Sequence, residues 1–68
     1  MWIVTQDRKS IIHTYKVHAE GNMLLAYNDS EYCIIGEFDN EDQVKEEVKK
    51  ITHNLMKGIR VYEVNQVD

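Results

Sequence analysis

The feature of this sequence that most limits its fold is a single helix with a clear signal at each end. Asn40 has the short polar side chain preferred at an N-cap, and Gln43 follows three residues later, which is the spacing of a capping box. Gly58 supplies the residue that most readily takes the left-handed conformation just after a helix. We therefore predict a helix from Asn40 to Lys57.

The apolar residues of this helix recur at helical spacing. Val44, Val48, Ile51 and Leu55 follow one another at intervals of four, three and four, with Met56 beside them. This pattern predicts one apolar stripe that packs on a face of a sheet.

The helix also carries four acidic residues near its start, Glu41, Asp42, Glu46 and Glu47. Carboxylates are favoured in the first turn by the helix dipole, and lysines follow them at ion-pair spacing. We therefore expect a solvated acidic face and not a site for acid–base chemistry.

Segments rich in β-formers flank the helix and are separated by polar or glycine-containing turns. The predicted strands cover residues 2–6, 11–19, 23–27, 32–38 and 59–64. The expected fold class is α+β: an antiparallel four-stranded meander, one amphipathic helix packed on a sheet face, and a short final strand. The order is β-β-β-β-α-β, and residues 1–68 form a single small domain.

Two stretches, residues 2–8 (WIVTQDR) and residues 35–42 (IGEFDNED), carry a family resemblance. The chain resembles a group of small uncharacterised proteins of Gram-positive bacteria and their phages or mobile elements. These proteins open with a Trp-hydrophobic-x-x-Gln-Asp stretch and have a Gly-Glu-aromatic turn before an acidic-capped helix. The chain departs from them at residues 40–42, where a serine-containing cap is expected, and at residues 13–18. The resemblance implies a small accessory protein and supplies no active-site residues that could be assigned to this chain.

Charge and composition narrow the classes of partner. Acidic residues outnumber basic ones by twelve to eight, giving a formal charge of −4, which argues against nucleic acid as the default ligand. The single cysteine, Cys33, excludes an internal disulfide. No stretch approaches the roughly 20 apolar residues that span a bilayer, and residues 1–7 lack the pattern of a signal peptide. We expect a cytoplasmic protein.

Residues that could carry metal or covalent chemistry are few and poorly spaced. His13, His18, His53 and Cys33 form no recognised zinc pattern, so we predict no metal site and no cofactor. Cys33 lies in a predicted strand between Tyr32 and Ile34, which fits a small packing residue better than a nucleophile. No catalytic residue is assigned, and we predict that the chain is not an enzyme. A thiol enzyme centred on Cys33 stays as a third hypothesis.

The aromatic residues give the strongest functional signal. All six are predicted to lie on strands, and one helix cannot cover them all: Trp2, Tyr15, Tyr27, Tyr32, Phe38 and Tyr62. Tyrosine and tryptophan are favoured in interfaces because they join apolar area to a polar group. A second small cluster within the monomer is the competing explanation.

The leading functional hypothesis is a non-enzymatic protein-interaction or accessory module. It self-associates, as a homodimer, through the uncovered sheet face or an edge strand, and its candidate surface residues are Trp2, Tyr15, Tyr32 and Tyr62. Another protein is the other expected kind of partner. The alternative is a phage- or mobile-element-encoded nucleic-acid-associated protein, for which the relevant basic residues are Arg8, Lys9, Lys45 and Lys49.

Overall fold

The computed structural model describes residues 1–29 and 31–67. Within them the chain forms six strands and one helix. In chain order these are β1 (Trp2–Val4), β2 (Ile11–His13), β3 (Lys16–Glu20), β4 (Met23–Asn28), β5 (Glu31–Glu37), α1 (Glu41–Met56) and β6 (Val61–Glu63). The predicted α+β class is therefore confirmed, and so is a final strand after the helix.

The strands form two three-stranded sheets. In the first sheet β1 lies between β2, which is antiparallel to it, and β6, which is parallel to it. In the second sheet β4 lies between β3 and β5, both antiparallel. The predicted four-stranded meander was wrong, because only β3, β4 and β5 form a meander.

The difference arises at Thr14, where the predicted strand 11–19 divides into β2 and β3. The Thr14 hydroxyl donates to the Tyr27 carbonyl oxygen at 2.6 Å and accepts from the Lys16 backbone amide at 3.2 Å. Its own backbone amide donates to the Met1 carbonyl oxygen at 2.9 Å. Thr14 is buried, so its side chain fixes the bend that sends the chain from one sheet to the other.

The ends of α1 agree with the predicted caps. The Asn40 side chain accepts a hydrogen bond from the Gln43 backbone amide at 3.0 Å, and the Gln43 side chain accepts from the Asp39 amide at 2.9 Å. At the other end Gly58 has φ +81°, and the backbone amide of Ile59 reaches the Asn54 carbonyl oxygen at 3.0 Å.

The buried face of α1 is turned relative to the predicted stripe. Val44 and Ile51 are buried, but Leu55 is half-exposed and Met56 is 82% exposed. The third buried position of the helix belongs to Glu47. The core that the helix covers consists of Ile3, Leu24, Ala26, Ile35, Phe38, Val44, Ile51, Tyr62 and Val64.

The two sheets meet through Gln6. Its backbone amide donates to the Ile35 carbonyl oxygen at 2.9 Å, and its side-chain oxygen accepts from the Glu37 amide at 2.8 Å. Its side-chain amide donates to the Asn65 carbonyl oxygen at 2.9 Å. One residue thus joins β5, the end of β1 and the segment after β6.

The helix in the described part of the chain is too short and too polar to cross a bilayer.

Candidate interaction surface

The structure separates the four residues predicted to form one surface. Tyr15 and Tyr32 are 70% and 63% exposed, and both lie beside the second sheet. Trp2 is half-exposed on the first sheet. Tyr62 is 8% exposed and belongs to the core. The interaction hypothesis therefore continues without Tyr62.

Tyr32 belongs to an aromatic cluster on the outer face of the second sheet. Lys16, Tyr27 and Tyr32 are cross-strand neighbours on β3, β4 and β5. The rings of Tyr27 and Tyr32 are 5.8 Å apart between centroids, and the Lys16 ammonium lies 4.8 Å from the Tyr27 centroid. The His18 ring packs edge-on against Tyr27 at 6.5 Å. Such contacts hold aromatic rings in fixed positions on an open surface.

The next row of cross-strand neighbours extends this surface with apolar side chains. His18, Leu25 and Ile34 are paired across the three strands; Ile34 is half-exposed, whereas Leu25 is buried and adds little accessible area. We name the outer face formed by these residues the tyrosine face; its members are Lys16, His18, Leu25, Tyr27, Tyr32 and Ile34. The helix packs against the opposite side of β3 and β4, so no described element covers the tyrosine face.

Charge is distributed unevenly along the tyrosine face. Lys16 stands in the row of Tyr27 and Tyr32, at one end of the strands. Glu20 and Glu37 stand at the opposite end, as neighbours of Met23. Glu20 also lies 3.0 Å from the His18 ring nitrogen. The face therefore has a cation at one end, apolar side chains in the middle and carboxylates at the other end.

The outer face of the first sheet is the second exposed apolar area. Trp2 lies between His13 of β2 and Val61 of β6, and its ring is 4.7 Å from that of His13. Ile11 and Val61 are each at least half-exposed. This face contains one aromatic pair, whereas the tyrosine face has several aromatic contacts in one cluster.

A buried carboxylate, which sequence reasoning missed, lies on the inner side of α1. Glu47 is 2% exposed, so the expectation that it is solvated was wrong. It accepts from the Tyr62 hydroxyl at 2.6 Å, the Asn65 backbone amide at 3.0 Å and the Asn65 side-chain amide at 2.9 Å. Burial and the bond to Glu47 raise the pKa of Tyr62 above its usual value. All the carboxylate bonds go to the segment 62–65, so Glu47 anchors the end of the chain to the helix.

The sequence contained one signal for this carboxylate. Glu47 lies three residues after Val44 and four before Ile51, on the same helical face as these two buried residues. A polar residue within an apolar stripe requires a partner, and Tyr62 and Asn65 supply it across the fold.

The remaining chemical groups are dispersed. Cys33 is exposed, so it is not the packing residue expected. In the described part of the chain, no histidine or lysine lines the two clefts to which Cys33 contributes, so no base lies beside the thiol there. Among residues 1–29 and 31–67, no three His, Cys, Asp or Glu side chains meet in a way that could hold a metal ion. The Thr5 hydroxyl and the Lys9 backbone amide hold the pKa of Asp7 below its usual value, but Asp7 serves the turn after β1.

The basic residues named for nucleic-acid binding are mostly engaged with carboxylates. Lys45 pairs with Glu41 at 3.5 Å and Lys49 with Glu46 at 3.4 Å, both on the exposed side of α1. Arg8 donates to the Val64 carbonyl oxygen at 2.7 Å and approaches Glu63 at 3.9 Å. These side chains do not form a continuous basic stripe.

Comparison with known proteins finds no matching protein-family model, no similar curated protein and no similar solved structure.

Proposed function

We propose that this chain is a non-enzymatic interaction module that self-associates through the tyrosine face. The observation that carries the proposal is the aromatic cluster of Tyr27 and Tyr32 on a sheet face that the helix leaves open. Exposed tyrosines with restricted rings lose little conformational freedom on association and bury a large area. We place this module in the cytoplasm, where the exposed thiol of Cys33 stays reduced.

A second copy is the partner favoured by the charge distribution. A two-fold axis that sets two tyrosine faces against each other with antiparallel strands brings the Lys16 end of one copy to the carboxylate end of the other. Lys16 then lies near Glu20 and Glu37 of the second copy, while the apolar rows meet in the middle. A surface of this kind is complementary to itself, which is the requirement of a symmetric dimer.

The size of the face predicts a weak dimer. Three strands spaced about 4.8 Å apart and about five residues long make a surface roughly 17 Å in length and narrower in width. This is smaller than the about 800 Å² per partner of a standard stable interface. We therefore expect association in the micromolar range or weaker, visible as a monomer–dimer equilibrium.

Sedimentation velocity over a hundredfold range of protein concentration tests the proposal. The unmodified chain should shift from monomer towards dimer, and Tyr32→Ala should move that shift to higher concentration by about thirtyfold or more, since the symmetric dimer loses two aromatic anchors that contribute about 1–2 kcal/mol each. Trp2→Ala is the matched control, because it removes a half-exposed aromatic ring from the other sheet. Equal effects of the two variants, or a monomer at every concentration, would disprove the proposal.

A charge exchange tests the orientation of the two copies. Lys16→Glu should weaken dimerisation, and adding Glu20→Lys to the same chain should restore it in part, because opposite charges then face each other again while Glu37 keeps its charge. Restoration would not occur if Lys16 served only its own Tyr27 ring. Circular dichroism of each variant checks that the fold is kept.

A second candidate function is binding of single-stranded nucleic acid on the same face. Neighbouring tyrosine rings next to a lysine on an open antiparallel sheet are the arrangement on which bases stack. The resemblance to proteins of phages and mobile elements points the same way. The carboxylates of Glu20 and Glu37 oppose it, which is why self-association ranks first.

Fluorescence anisotropy with labelled single-stranded DNA and RNA at low salt separates the two candidates. Nucleic-acid binding would be lost in both Tyr32→Ala and Lys16→Glu and would not return on adding Glu20→Lys. No anisotropy change at tens of micromolar protein would remove this candidate.

A further inference from the structure

A seam remains open between the two sheets, where two strand edges face one cleft. Among the strands of the described residues, β2 pairs only with β1, and β5 pairs only with β4. Both edges line a cleft of about 560 Å³, to which Ser10 and Ile12 contribute from one side and Cys33 and Ile35 from the other. Within the described residues no hydrogen bond joins residues 10–13 to residues 31–34.

The seam is closed at both ends by hydrogen bonds. At one end Gln6 connects the β1 side to Ile35 and Glu37 of β5. At the other end the Thr14 hydroxyl donates to the Tyr27 carbonyl oxygen at the end of β4. The segments that border the opening are therefore anchored to the fold at Gln6 and at Thr14.

The inner side of the second sheet opens to solvent at this seam. Ala26 and Cys33 are cross-strand neighbours that face the inner side of the sheet, yet Ala26 is fully buried and Cys33 is exposed. A smaller recess beside the cleft is lined by these two residues and Ile12. The partly buried Ile12 and the exposed Cys33 are thus accessible between two strand edges.

The rim of the seam is acidic. Asp7 and Glu37 line the cleft, and Glu31 lines the recess beside it. No lysine, arginine or histidine among the described residues lines either space. Lys9 lies in the same turn as Asp7 but outside the cleft. Charge complementarity therefore favours a cationic occupant.

We propose that the seam binds an extended, basic peptide segment of another protein, which adds as a strand to the edge of β5. Unpaired strand edges bind extended peptides through main-chain hydrogen bonds, and alternate side chains then face the cleft and the rim. A residue with an aliphatic side chain fits between Ile12 and Cys33 in the middle of the segment, and lysine or arginine towards its two ends meets Glu31 and Glu37, which lie roughly 20 Å apart along β5.

Nuclear magnetic resonance titration with a defined probe tests this proposal. The probe is a blocked hexapeptide of alternating lysine and valine, added up to millimolar concentration at low ionic strength to the ¹⁵N-labelled chain. We expect amide shifts at residues 10–12 and 31–34. The same peptide with glutamate in place of lysine should produce none.

Two versions of the probe test the main-chain pairing. One is N-methylated on every valine and the other on every lysine, so that each blocks one edge of the added strand. At least one of them should lose binding. If both bind as well as the parent peptide, strand addition is disproved.

Charge variants of the protein test the acidic rim. Glu31→Lys combined with Glu37→Lys should weaken binding of the lysine–valine peptide by about threefold to thirtyfold. Glu41→Lys combined with Glu46→Lys is the control, since it makes the same change of net charge on the exposed side of α1. Equal weakening by rim and control variants would overturn the assignment, because the attraction would then be general.

Three other outcomes also overturn it. Shifts confined to Lys16, His18 and Tyr27 of the tyrosine face, or no shifts at millimolar peptide, mean that the seam does not bind this class of ligand. Shifts of residues 10–12 with protein concentration alone mean that a second copy occupies the seam. The titration uses dilute, monomeric protein, so its result is independent of dimerisation through the tyrosine face.

Discussion

Removing one oxygen atom, in Tyr62→Phe, tests the anchoring role of the buried Glu47 carboxylate. The Tyr62 hydroxyl donates to Glu47 at 2.6 Å inside the core, and phenylalanine keeps the ring while it removes the donor. A hydrogen bond to a charged group contributes about 1.5–3 kcal/mol to stability, and Glu47 keeps its two bonds from Asn65. We expect a loss of about 2 kcal/mol.

This loss is large for a chain of this length. A domain of 68 residues has a free energy of unfolding of roughly 3–10 kcal/mol. A loss of about 2 kcal/mol lowers the melting temperature by about 8–16 °C in a domain of this size. Thermal and urea unfolding followed by circular dichroism measure both quantities.

Tyr32→Phe is the matched control for this prediction. It makes the same chemical change at a tyrosine that is 63% exposed and has no hydrogen bond from its hydroxyl to a described residue. Its free energy of unfolding should change by less than about 0.5 kcal/mol. If Tyr62→Phe and Tyr32→Phe are equally stable, the buried carboxylate does not anchor the end of the chain and the reasoning is refuted.

Three further predictions concern the same fold. The free energy of unfolding should fall above about pH 10, by up to about 1.4 kcal/mol per pH unit. The reason is that the raised pKa of Tyr62 keeps its hydroxyl protonated in the folded chain, whereas this hydroxyl ionises in the unfolded chain. Tyr62→Phe should remove this pH dependence in urea unfolding at pH 9–11. Gly36→Ala should lower the free energy of unfolding by about 1–3 kcal/mol, since the added Cβ would lie 3.0 Å from Val64 Cγ1. The loss should be smaller in a Val64→Ala background, and an unchanged loss would contradict the clash. Asn40→Ala should cost about 1 kcal/mol and Asn40→Gly only a few tenths, whereas equal losses would exclude a capping role.

Local signals in the sequence were sufficient for the helix and for most strands. Asn40 and Gly58 mark the ends of α1 because capping depends on residues close to them in the chain. Continuous alternation through residues 11–19 could not reveal that Thr14 bends the chain, because its partner Tyr27 lies on another strand. The division into two sheets depends on such contacts between distant residues.

The candidate surface was predictable only in part, because it too depends on contacts between residues that are distant in the sequence. Exposure of Tyr32 followed from the argument that one helix cannot cover every aromatic residue. Tyr62 could be placed in the core, and identified as the partner of Glu47, only once the register of α1 against β6 was known. The contributions of Lys16 and Tyr27 to the tyrosine face depend on the register of β3 against β4, which the sequence leaves open.

Concentration-dependent amide shifts of the unmodified chain test the central proposal most directly. Spectra of ¹⁵N-labelled protein at about 20 µM and about 2 mM should differ at residues of the tyrosine face, above all Tyr27, Tyr32 and Ile34, because dimerisation in the micromolar range or weaker changes the bound fraction across this interval. Shifts that centre instead on Trp2 and Val61, or spectra that stay identical, would contradict self-association through this face.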